Sequence, residues 1–106
     1  MISAEEIRNS IKKVEERIEL ADAVKRLQHN QDFKKVFTNH IFNARVLELV
    51  NDIHSYKRES VEHIDTIEEL ESISRTQAYL NYLIDKGQWA ENDLRDIKSI
   101  PDSEII

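Results

Sequence analysis

The sequence predicts an all-α domain, a small bundle of four or five helices with a long N-terminal amphipathic helix able to form a coiled coil. Three observations predict it. Only one Gly and one Pro occur in 106 residues, too few turn formers for a β-rich domain. Apolar residues return at spacings of three and four along most of the chain. Charged residues make up 34% and apolar residues 40%, a balance that suits helices burying one stripe each. The length allows one compact domain, placed at residues 1–98, with a C-terminal tail at 99–106.

The first helix is read over residues 1–28. Ser3 followed by Glu6 forms a capping box at its start. Ala4, Ile7, Ile11, Val14, Ile18 and Ala21 follow at spacings of 3, 4, 3, 4 and 3. This is a coiled-coil seam, narrower than an ordinary core face. Ile7, Ile11, Val14 and Ile18 are therefore the expected seam for self-association or a partner, and an ordinary hairpin inside the domain would read the same way. From Leu20 the stripe shifts, and Leu20, Val24 and Leu27 define a second face. Asn30 suits a left-handed helix end, and Asp32 suits the N-cap of the next helix.

Phe33, Val36 and Phe37 then share a face, and both Phe are expected to be largely buried and structural. Thr38 to His40 are poor helix formers, so the helix either breaks between Thr38 and Asn43 or runs on under strain. Phe42, Val46, Leu49, Val50 and Ile53 give one further inward face, ending near Tyr56 or Lys57. Thr66 with Glu69 is a second capping box and the expected start of the next helix. Ile67, Leu70, Ile73, Leu80 and Ile84 form its stripe. Gly87, the only Gly, is expected to end it in positive φ. A short last helix would carry Trp89, Ala90, Leu94 and Ile97, and Pro101 would stop it. The tail after it is expected to be mobile unless Ile105 and Ile106 dock on a partner.

Composition excludes several kinds of chemistry. The chain has no Cys, which removes disulfides, thiolate metal sites and a Cys nucleophile and fits a reducing cytosol. No apolar run approaches membrane-spanning length, and "MISAEEIRNS" is too polar for a signal peptide. The net charge of −6 opposes phosphate and anionic-membrane binding, so neither nucleic acid nor membrane is an expected partner. The four histidines form no i, i+4 pair and no HExxH. Glu59, Glu62 and His63 miss the Glu-x-x-His spacing of a di-iron bundle. No Ser sits in a glycine-framed elbow. No catalytic residue, metal ligand or cofactor is therefore assigned. Tyr79 and Tyr82, one turn apart, read as a core edge with wet hydroxyls or as an aromatic patch that anchors a partner.

The stretches "ADAVKRLQHNQDFKKVF", "ARVLELV" and "LESISRTQAYLNYLIDKGQWAENDLRDI" resemble a family of small helical virion-associated and assembly proteins of tailed bacteriophages. The matching positions are Leu27, Asn30, Asp32, Phe33, Lys34, Val36, Ala44, Arg45, Leu49, Val50, Tyr79, Leu80, Gly87, Ala90, Glu91 and Leu94, over about residues 20–97. Family members often carry Gly-Tyr where this chain has "NHIF" at Asn39 to Phe42. The resemblance implies no enzymatic activity and transfers no binding residue. It implies a structural or assembly role through protein–protein contacts, in the virion or host cytoplasm. The expected partners are further copies of the chain, as a homo-oligomer, or capsid, portal or tail components. The alternative is a small acidic phage protein that binds and inhibits a host protein.

Overall fold

A computed structural model describes residues 2–106. Helix accounts for 85% of the chain, and no strand occurs among the described residues. The described residues form three helices rather than four or five. Helix α1 spans Ala4–Gln28. Helix α2 is one continuous run of Gln31–Phe33, Lys34–Ala44 and Arg45–Ile53. Helix α3 spans Val61–Lys98, and a single 3₁₀ turn follows at Asp102–Glu104.

The count is lower because two expected breaks, one between Thr38 and Asn43 and one at Gly87, are absent. Asn30 does not close α1 in a left-handed conformation. It is extended (φ −71°, ψ 132°) and caps α2, its side-chain oxygen accepting the Phe33 N–H. Asp32, the expected cap, sits in the first turn of α2, where its charge suits the helix dipole. The poor helix formers from Thr38 to His40 do not break the chain either. Lys34–Ala44 is wound as a π-helix, and the Arg45 N–H reaches back five residues to the His40 carbonyl.

Helix α3 begins earlier and ends later than its sequence signals suggest. Ser60 is its cap, its hydroxyl oxygen accepting the His63 N–H at 3.2 Å. Thr66 lies inside the helix, buried, and its hydroxyl donates to the Glu62 carbonyl at 2.7 Å. Gly87 is also interior, and no Gly has positive φ. Among the described residues the positive-φ position is Glu59, at φ 67°, immediately before the cap. At the start of α1 the expected cap forms, with the Ser3 hydroxyl oxygen accepting the Glu6 N–H at 3.1 Å.

The chain divides into two compact units. The first comprises residues through Lys25 together with Tyr82–Ile106. Its buried residues are Val14, Ala21, Val24, Gly87 and Ala90, so the expected seam contributes Val14 to an internal core. Gly87 allows close helix approach here: a Cβ on it would collide with the Cβ of Ala21 and stand 3.6 Å from the Arg17 carbonyl oxygen. The C-terminal segment, expected to be mobile, is held in this unit. The Ile2 N–H donates to the Glu104 carbonyl at 3.1 Å, and the Ile106 N–H to the Ile2 carbonyl at 2.9 Å. Ile2 and Ile105 thereby form an isolated parallel bridge.

The second unit is Arg26–Asn81, with Leu49, Ile73 and Thr66 buried. Arg45 on α2 contacts Glu69 on α3 at 2.7 Å and Glu48 at 3.1 Å. The Glu69 Oε2 atom is shielded from water and receives no aligned hydrogen bond, so the guanidinium charge is what balances it. Glu69 first, then Glu48, raises the Arg45 pKa above its ordinary value.

Candidate functional site

The seam residues lie together in the first unit. Val14 is buried, whereas Ile7, Ile11 and Ile18 are half-buried. The apolar stripe is therefore only partly covered by its own chain, and Leu20 beside it is exposed.

Tyr79 and Tyr82 are both exposed on α3. The Tyr82 ring meets Trp89 edge-on, with centroids 6.3 Å apart at 74°. The Lys86 ammonium sits 5.7 Å from the Tyr82 ring centre, within cation–π range. Trp89 is 55% exposed, and it lies inside α3, not in a separate short last helix. The i, i+7 pairing of Tyr82 with Trp89 exists only because α3 runs uninterrupted through Gly87.

The second unit holds a feature that sequence reasoning missed. Phe33 and Phe37 are half-buried, not largely buried. Their rings stack at 4.8 Å and 14°, and Phe37 meets Phe42 at 6.0 Å and 56°. Phe42 follows Phe33 by nine residues. On an α-helix nine residues make about two and a half turns, which would set the first and last rings on opposite sides. Each π turn takes up nearly one residue more, so here nine residues close about two turns and all three rings share a side. The 4-then-5 spacing of the Phe residues was the available signal. It is out of step with α periodicity and in step with π.

Phe33 and Phe42 line a cleft of about 380 Å³, within the size range of small-ligand sites. Leu80 adds apolar wall from α3, and Gln28, Gln77 and Asn81 add amide groups. Lys34 and His29 supply nitrogen donors, and Thr38 a hydroxyl. A second depression of about 200 Å³ surrounds the Arg45–Glu69 contact. Among the described residues, no three or more His, Asp or Glu side chains are grouped to hold a metal ion. No helix of those residues is long and apolar enough to cross a membrane.

Comparison with family models, with curated proteins and with solved structures finds no match for the chain.

Proposed function

We propose that the protein is a non-enzymatic bacteriophage structural or assembly component that works through protein–protein contacts as a homo-oligomer. The observation that carries this reading is apolar surface left in helical register. Leu47 and Val50 on α2, and Val61 and Ile64 on α3, are exposed pairs one turn apart. Scattered exposed apolar residues are ordinary on any protein, but pairs at i, i+3 are the pattern of a face awaiting a neighbour. The half-buried Ile7, Ile11 and Ile18 of the seam extend the same pattern to α1. Fully burying such a side chain contributes about 1.5–3 kcal/mol, and a good part of that is unspent at each position. The resemblance over residues 20–97 points to capsid, portal or tail components as further partners.

Sedimentation of the wild-type chain and of Ile11→Asp tests the seam. The expected result is a shift to smaller species with helical circular dichroism largely retained. An unchanged oligomeric state, or loss of the whole fold, removes the seam from the proposal. The net charge of −6 favours a second reading, an acidic phage protein that binds and inhibits a host protein. A chain that stays monomeric and captures one basic host protein would support that reading over assembly.

A further inference from the structure

The geometry points to the Phe33/Phe42 cleft as a binding site for a small aromatic carboxylate, a role separate from the assembly reading. Three observations carry it. The first is shape: the cleft holds about 380 Å³, enough for a one- or two-ring molecule, and its aromatic wall suits offset or edge-on ring contact.

The second is charge. Twenty-one of the 106 residues are Asp or Glu, so nine positions drawn at that rate would include about two. None of the nine described residues lining the cleft is acidic. Lys34 and His29 are there instead, with the Thr38 hydroxyl and side-chain amides as neutral partners. In an acidic protein this is one place where an anion meets donors with no carboxylate in the lining. A ring carrying a carboxylate fits both halves of the lining, and a cationic ligand finds no counter-charge.

The third is local backbone form. The wall is the π-wound segment Lys34–Ala44. π-helix is rare, and where it interrupts an α-helix it is frequently at a functional site. This run brings Phe42 to the same side as Phe33, so the winding builds the cleft.

Titration of the ¹⁵N-labelled full chain with 1-naphthoate, followed by amide chemical shifts, tests the assignment. The expected result is saturable shifts centred on Phe33, Thr38, Phe42 and Leu80. Neutral 1-naphthamide should bind about fivefold more weakly, the scale of one partly exposed charge contact. Lys34→Gln, at a partly exposed position, should erase that difference while leaving naphthamide binding in place. The proposal is overturned by absence of saturable shifts, or by shifts centred on Tyr82 and Trp89. Equal affinity for the two probes in wild type, or a preference for naphthoate that survives Lys34→Gln, overturns it as well.

Discussion

Gly87 on α3 stands where any side chain would run into the Cβ of Ala21 on α1. In an open helix, replacing Gly by Ala stabilises by about 0.5–1 kcal/mol, because Ala has less backbone freedom to lose. Here the added methyl has no space. Gly87→Ala is expected to destabilise by roughly 1–3 kcal/mol, the range for overpacking. Urea unfolding followed by circular dichroism reads the sign, and a raised midpoint would mean that the two helices do not approach this closely.

Two caps separate the observed helix starts from those the sequence suggests. Asn30→Ala and Ser60→Ala should each cost about 1 kcal/mol, the usual loss at an N-cap. Asp32→Ala, inside the first turn of α2, should cost only the few tenths typical of a dipole contact. Equilibrium unfolding of the three variants ranks them. A larger loss at Asp32 than at Asn30 would move the start of α2.

Glu59 occupies the left-handed region at φ 67°, where a Cβ costs about 1 kcal/mol or more. Glu59→Gly should therefore raise stability by about 0.5–1 kcal/mol despite the greater freedom of Gly in the unfolded chain. Thermal melting checks this. A lowered midpoint would show that Glu59 contributes a contact worth more than the strain.

The stacked Phe33 and Phe37 rings should be energetically coupled. A double-mutant cycle with Leu at each position is expected to return about 0.5–1.5 kcal/mol of interaction beyond the single losses. Coupling near zero would separate the two rings in solution.

The helical class and the start of α1 were legible because local signals there agree with one another. Ser3, Glu6 and the heptad all point the same way. The errors fall where a local signal competes with a distant one. Gly87 carries the marks of a helix end, yet Leu80, Ile84, Gly87, Ala90, Leu94 and Ile97 keep one unbroken apolar phase across it. That phase was the stronger evidence for a single helix. Thr66 and Glu69 match a capping box by type, but Thr66 is needed in the interior of the second unit. Ser60 lacks the acidic third residue that advertises a cap, and Glu59 gives no hint of positive φ. The aromatic cleft stayed hidden because α periodicity assigns Phe33 and Phe42 to opposite sides.

The π winding of Lys34–Ala44 also changes what a missing residue means. An ordinary helix that loses a residue rotates everything beyond it by about 100°. A wide turn can instead absorb the loss by tightening to α pitch. Deleting Asn39 is expected to leave helicity and the aim of Arg45 and Leu49 intact while carrying Phe42 away from Phe33. Length and orientation are uncoupled in this stretch, so a one-residue gap there is a change of winding and not a shift of frame.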